Sequence, residues 1–179
     1  MKAQFWSFDV IFAMIIFGSA LIILTFVWVN VSSQYNIAYG FGLQTMQAQL
    51  QSLQTRILEP GSPSDWNSAV NVIDVGTWQN VSIGLGSGSG SAISQDKIIT
   101  LMAMANYNSI TYQATKPLLG VGYDWYIEIN YSNTSIGMGL YPYTRNPYAV
   151  QVARQSAVLN GVPVKMQIFL WTNESFGVS

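Results

Sequence analysis

Six of the eight acidic residues lie beyond residue 60, and they are the side chains that general acid–base chemistry would use. Asp124 and Glu128 fall four residues apart on one strand pattern, which separates them by roughly 13 Å. That distance exceeds the about 5–9.5 Å between paired glycosidase carboxyls. Histidine and cysteine are both absent from the sequence, which leaves no triad base, thiol nucleophile or Cys/His zinc site. We therefore expect no enzyme activity, no catalytic residue, no metal and no cofactor. The acids considered are Asp65, Asp74, Asp96, Asp124, Glu128 and Glu174.

The charge of the chain is low and unevenly distributed. Charged residues make up 8% of the sequence, with 7 Lys and Arg against 8 Asp and Glu, whereas soluble domains have about 25%. No basic cluster is available for phosphate contacts, so we expect no nucleic acid partner. After Lys2 and Asp9 the next charged residue is Arg56.

Residues 10–29 form an apolar run whose polar members are Ser19 and Thr25. A helix of this length covers about 30 Å, the thickness of the hydrocarbon core of a bilayer. The alternatives are a buried core helix and a cleaved signal peptide, whose apolar region is usually about 7–15 residues. Lys2 before the run predicts a cytoplasmic N-terminus and an external remainder. The large side chains of the run are Val10, Ile11, Phe12, Met14, Ile15, Ile16, Phe17, Leu21, Ile22, Ile23, Leu24, Phe26 and Val27.

A second helical pattern follows at residues 43–58. Its apolar residues recur at intervals of three and four, as Leu43, Met46, Leu50, Leu53 and Ile57. Together with the apolar run they predict one helix over residues 4–59, ended by Pro60, with a bend or melted turn as an alternative at Gly40 and Gly42. The apolar seam would pack on a following sheet or, as an alternative, form a short coiled coil.

Residues 64–179 show the shorter alternations of an α+β domain. Strands are predicted at residues 69–75, 78–85, 124–130, 148–159 and 162–171, the last two joined by an Asn160-Gly161 turn. In the final strand Val162, Val164, Met166, Ile168 and Leu170 would face inward. Helices are predicted at residues 95–106, capped by Ser94 with Asp96 in its first turn, and at residues 109–115. We expect an antiparallel sheet of four to six strands packed on the seam and topped by the short helix.

Polar features of this outer domain suit an exposed surface. Five N-glycosylation sequons occur, at Asn30, Asn80, Asn130, Asn133 and Asn173, and N-linked glycans would add polarity without charge. The alternative is that Asn and Ser are simply abundant. Tyr141, Tyr143 and Tyr148 are candidate sugar-binding aromatics, although packing within a loop accounts for them equally well.

The N-terminus resembles the class III signal segment of archaeal type IV pilin-like proteins. The resemblance is carried by Lys2-Ala3-Gln4, by Ser7 and Asp9, and by the apolar helix that follows. Further similar elements lie in the outer domain at residues 97–104, 119–129 and 169–171. The resemblance implies a lollipop-like α+β fold and a three-residue leader, residues 1–3, cut by a prepilin-type peptidase between Ala3 and Gln4. Asp9 would then be the sixth residue, one position beyond the acidic residue usual in the family.

The resemblance implies a structural subunit of an extracellular type IV pilus-like or archaellum-like filament. Its partners would be other copies of itself, an assembly platform, and the membrane before assembly. Residues 10–29 would form the filament core, and the filament would serve adhesion or motility at the cell surface. In that core Asp9 would pair with a neighbour's N-terminal amine, or else lie at the membrane interface near its own helix N-terminus. The alternative function is a single-pass membrane-anchored surface protein that binds partners and does not polymerise.

Overall fold

The computed structural model describes residues 3–88, 90–131 and 134–176, except for the side chains of residues 3–7 and 35–38. These residues divide into two compact units. One contains the chain up to Gly42 together with Phe176, and the other is Leu43–Ser175. The protein is an α+β structure with a long apolar N-terminal helix and a mixed sheet.

Helix α1 runs over Ala3–Arg56, so the predicted long helix is confirmed, although it ends three residues before the expected residue 59. Gly40 and Gly42 are both helical. In the first unit Phe176 packs against Gly42 so closely that a Cβ at this position would overlap its ring. The ring of Phe176 also contacts Tyr39 edge-on, with 5.8 Å between the ring centroids.

The predicted seam on the last turns of α1 is buried in the second unit. Met46, Leu50, Leu53 and Ile57 are all buried, and Leu43 is partly exposed. Two long-range hydrogen bonds attach the same helix to the unit. Gln49 Oε1 accepts from the backbone N–H of Gly122 at 2.8 Å, and Gln54 Nε2 donates to the carbonyl of Arg154 at 3.4 Å.

The strands expected at residues 69–75 and 78–85 are wrong. The chain forms a short helix α2, Trp66–Ala69, and a 3-10 turn, Val75–Trp78, and then irregular backbone. Local side chains take the backbone hydrogen bonds that a strand ladder would need. Asp74 Oδ1 accepts from the N–H of Gly76 at 2.9 Å, and the Trp78 indole donates to the carbonyl of Asn71 at 2.7 Å.

The helices of the second unit follow the predicted positions with two differences. Helix α3, Gln95–Tyr107, begins after Ser94 with Asp96 in its first turn, but the Ser94 side chain makes no capping bond. Helix α4 extends over Ser109–Leu119, past the predicted end at residue 115. Pro117 lies in its last turn, where it removes one backbone donor, and Gly120 ends the helix with φ 71°.

Five strands form one sheet in the order β1-β4-β5-β2-β3. Strand β1 pairs parallel to β4, so the expectation of a wholly antiparallel sheet is wrong, and the other pairs are antiparallel. Asn160 and Gly161 have φ 51° and 80°, as a two-residue hairpin turn requires, which confirms the β4–β5 hairpin. The strands are β1 Ala92–Ile93, β2 Asp124–Tyr131, β3 Thr134–Gly139, β4 Ala149–Leu159 and β5 Val162–Thr172.

One face of the sheet packs under the helices. Trp125, Ile127 and Ile129 of β2 are fully buried on this face, and the Trp125 ring stacks on Tyr112 of α4. The predicted inner residues of β5 are also buried, except Val162, which is 39% exposed at the hairpin end. On the opposite face Phe169 and Trp171 are buried as well. The cover at Trp171 includes the segment after β3, since its indole donates to the carbonyl of Leu140 at 2.9 Å.

Lys97 of α3 ties the end of α1 to the rest of its unit. The side chain is 6% exposed, and its ammonium donates to the carbonyls of Pro60 at 2.7 Å and Gly86 at 2.9 Å. Burial lowers the pKa of Lys97, partly offset by the charge of Asp65. The two carbonyls belong to segments that cross closely. A Cβ on Gly86 would overlap the carbonyl of Leu58, which shows how little space separates the two backbones.

Replacing Lys97 with Met keeps the length of the side chain but leaves both carbonyls without this donor. We expect Lys97→Met to lower the free energy of unfolding by about 1–3 kcal/mol. Urea unfolding of the full chain in micelles measures this change. The matched control is Lys165→Met on the exposed face of β5, which should stay within about 0.5 kcal/mol of the wild type. Equal effects of the two variants would contradict the role assigned to Lys97.

Candidate assembly interface

The apolar part of α1 is exposed on every side. From Phe8 to Asn30 all side chains are exposed, with Gly18 intermediate. The helix is long and apolar enough to cross a membrane, with a mean hydropathy of 2.8 in its most apolar window and none of that window buried. A helix that is apolar all round is stable only where lipid or protein covers it. All thirteen large residues that the sequence assigned to this run lie on that uncovered surface.

The polar side chains of this segment bond to their own helix. Ser19 Oγ donates to the carbonyl of Ile16 at 2.9 Å, and Thr25 Oγ1 donates to that of Leu21 at 2.8 Å. Asn30 Nδ2 donates to the carbonyl of Phe26 at 2.9 Å. Because the hydroxyl donors of Ser19 and Thr25 are used within the helix, these two side chains add little cost to burial in lipid or among other helices. Asn30 lies at the end of the apolar run.

The expected processing site lies at the start of α1. Ala3 and Gln4 are its first two residues, and Asp9 is exposed almost two turns further on. The side chains of Ala3 and Gln4 lie outside the described residues. The structure therefore describes the helix that follows the expected cleavage site, but not the side chains at the site itself. In the sequence Asp9 is the one charged residue between Lys2 and Arg56, and it lies at the N-terminal edge of the exposed apolar surface.

The structure places the sequons in different settings. Asn80 lies in an exposed turn with φ 63°, and Asn173 is exposed just after β5. Asn30 lies within α1 and Asn130 within β2, where it is opposite Lys165. Asn133 lies outside the described residues. Of the four described candidates for a glycan, Asn80 and Asn173 are therefore the exposed ones outside helices and strands.

Two of the acids that sequence analysis considered, Asp124 and Glu128, lie on β2. Asp124 forms an ion pair with Lys116, with 2.7 Å between Oδ1 and Nζ, whereas Glu128 lies further along β2. Within residues 3–88, 90–131 and 134–176 no three acidic side chains cluster as metal ligands.

Tyr112 is the centre of a buried network beside that ion pair. Its hydroxyl accepts from the backbone N–H of Trp125 at 2.9 Å and donates to Asp124 Oδ1 at 3.1 Å. The Trp125 indole donates to Thr115 Oγ1 at 3.1 Å. Burial is the main cause that raises the pKa of Tyr112 far above its ordinary value of 10.0, and the charge of Asp124 acts in the same direction. The network holds α4 against the first residues of β2.

An aromatic cluster on the outer face of the sheet was only partly anticipated from the sequence. Tyr141 and Tyr143 were candidates as exposed residues, but their neighbours Tyr126 and Phe169 were not. The ring centroids of Tyr126 and Tyr141 are 5.1 Å apart, and those of Tyr126 and Phe169 are 5.8 Å apart. The signal in the sequence was the period-two alternation, which places Tyr126 on the face opposite Trp125.

Comparison of the chain with models of protein families, with curated proteins and with solved structures finds no match.

The Tyr112 network predicts a stability difference that changes with pH. Tyr112→Phe removes the acceptor for the N–H of Trp125, so we expect it to cost about 1–3 kcal/mol near neutral pH. Above pH 10 the wild-type tyrosine ionises in the unfolded chain but stays protonated in the folded one, which destabilises the wild type. The deficit of the variant should then shrink by about 1.4 kcal/mol per pH unit.

Urea unfolding of the wild type and Tyr112→Phe from pH 7 to 11 measures the difference in their free energies of unfolding. The two proteins share all other ionisable groups, so the contributions of those groups cancel in this difference. Tyr107→Phe on an exposed part of α3 is the matched control and should track the wild type. A Tyr112→Phe deficit that stays constant above pH 10 would show that the buried hydroxyl is not the cause.

Proposed function

We propose that this chain is a structural subunit of an extracellular type IV pilus-like or archaellum-like filament, and that it polymerises through α1. The single observation that supports this most strongly is the uncovered apolar surface of α1 from Phe8 to Val29. Bundling of such helices from many copies would remove this surface from water, and their side chains would exchange lipid for protein neighbours.

The sequence resemblance supplies the rest of the proposal. A prepilin-type peptidase would cut between Ala3 and Gln4, and an assembly platform would move the subunit from the membrane into the filament. Asp9 would pair with the N-terminal amine of a neighbouring copy, because an isolated carboxylate in an apolar bundle is costly. The outer domain, Leu43–Ser175, would form the exterior of the filament at the cell surface and serve adhesion or motility.

The second candidate is a single-pass membrane protein that keeps its helix in lipid and binds partners through its outer domain. The length and hydropathy of α1 favour it as well, because they suit a bilayer. The two functions differ in how strongly they depend on side-chain shape. Lipid accommodates any apolar surface, whereas neighbouring helices in a close-packed bundle fit specific side chains.

Large-to-small substitution in α1 separates these functions. The double variant Phe17→Ala with Ile22→Ala stays apolar, so insertion into the membrane should continue. In a packed bundle each truncation costs about 2–5 kcal/mol for every copy. We expect the subunit to accumulate in the membrane and its amount in the sheared extracellular filament fraction to fall at least tenfold.

The control is Ile99→Ala, which truncates an exposed apolar residue of α3 and should leave filament yield unchanged. Immunoblots of the membrane and sheared fractions give the distribution for each variant. A wild-type subunit that never enters the sheared fraction would refute the filament and favour the membrane anchor. Normal filament yield from the double variant would refute assembly through this helix.

A further inference from the structure

The outer face of the sheet carries a compact group of rings, here called the tyrosine patch: Tyr126, Tyr141, Tyr143 and Phe169. Tyr126 and Phe169 are opposite each other on β2 and β5. Tyr141 and Tyr143 reach them from the segment between β3 and β4, with 5.4 Å between their centroids. The ring of Tyr143 meets Phe169 edge-on at 6.3 Å and is itself 61% exposed.

The patch is held in place by the strands beneath it. A Cβ on Gly137 of β3 would overlap the Tyr126 hydroxyl, so the Tyr126 ring lies across this glycine. Tyr141 then contacts the Tyr126 ring close to perpendicular, with an interplanar angle of 75°. Rings that are already fixed in position lose little conformational entropy when a ligand binds.

A row of polar side chains lies next to the patch on the same face. Glu128, Gln167 and Arg154 are directly opposite one another on β2, β5 and β4. They follow the Tyr126–Phe169 row by two residues, which is about 7 Å along the strands. None of the three side chains makes a hydrogen bond within the part of the chain that the structure describes. One carboxylate and one guanidinium give the row no net charge.

We propose that the tyrosine patch and this polar row form a binding site for an uncharged polysaccharide. The exposed rings of Tyr141 and Tyr143 would stack on the apolar faces of sugar rings, and the row would exchange hydrogen bonds with sugar hydroxyls. The balanced charge of the row matches a neutral ligand.

The chemistry of the patch favours a saccharide over a protein partner. Its exposed area consists of tyrosine rings that end in hydroxyl groups, and Val152 is the aliphatic residue beside them on β4. Burial mainly, and the nearby Glu128 and Tyr141, raise the pKa of Tyr126, so its hydroxyl keeps its proton to a higher pH than an exposed tyrosine does. The site lies wholly within Leu43–Ser175 and does not depend on polymerisation.

The test uses the full chain in micelles of a detergent without a sugar headgroup, titrated with neutral glucan, mannan and galactan oligosaccharides of four to six units. We expect at least one of them to bind with a Kd in the millimolar range or tighter by calorimetry. Tyr143→Ala should weaken that binding about tenfold through the lost stacking surface. Arg154→Ala, which removes the exposed guanidinium of the polar row on β4, should weaken the binding as well.

The matched control is Tyr107→Ala, an exposed tyrosine on α3, which should bind as the wild type does. Thermal unfolding of each variant checks that the outer domain remains folded. Failure of every neutral oligosaccharide to bind would overturn the proposal. So would unchanged binding by both patch variants, or a Tyr143→Ala effect on self-association without one on sugar binding.

Discussion

The apolar surface of α1 must be covered by lipid or protein, and this requirement is the strongest physical constraint on the molecule. Between Phe8 and Val29 the described chain offers these side chains no cover. Lipid would provide cover in a membrane, and other copies of the helix would provide it in the proposed filament, because both exclude water from the same side chains. Ser19 and Thr25 are compatible with either environment, since each hydroxyl donates to a carbonyl of its own helix.

The same helix meets a second environment after Gly42. There the seam of Met46, Leu50, Leu53 and Ile57 is buried in the outer domain, and Lys97 anchors the chain immediately beyond the helix. The apolar segment before Gly42 has no such cover from the described chain, and in the proposed filament it would be available for contacts between copies. The face of the outer sheet opposite the helices then carries the exposed rings and hydrogen-bonding groups that another molecule would meet.

Sequence periodicity predicted the elements whose residues act locally, such as the apolar run, the seam and the hairpin at Asn160-Gly161. It failed at residues 66–81, where local side chains and turns take the backbone hydrogen bonds. It failed again at residues 82–86, where the backbone partners are distant in sequence, as in the bond from the Leu85 N–H to the Ile57 carbonyl. The parallel strand β1 has two residues, which pair with Val158 and Leu159. Two residues are too few to show a periodic pattern in the sequence. The sequence indicated only Tyr141 and Tyr143 of the tyrosine patch. Tyr126 and Phe169 were missed because the patch brings a loop together with two strands that are distant in sequence.

The mass of the N-terminal peptide of this protein in sheared surface filaments would test directly whether the chain is cleaved and assembles through α1. We expect an abundant peptide that begins at Gln4, which requires both cleavage after Ala3 and departure of the helix from the membrane. A peptide that begins at Met1 and occurs only in the membrane fraction would contradict assembly and leave α1 as an anchor.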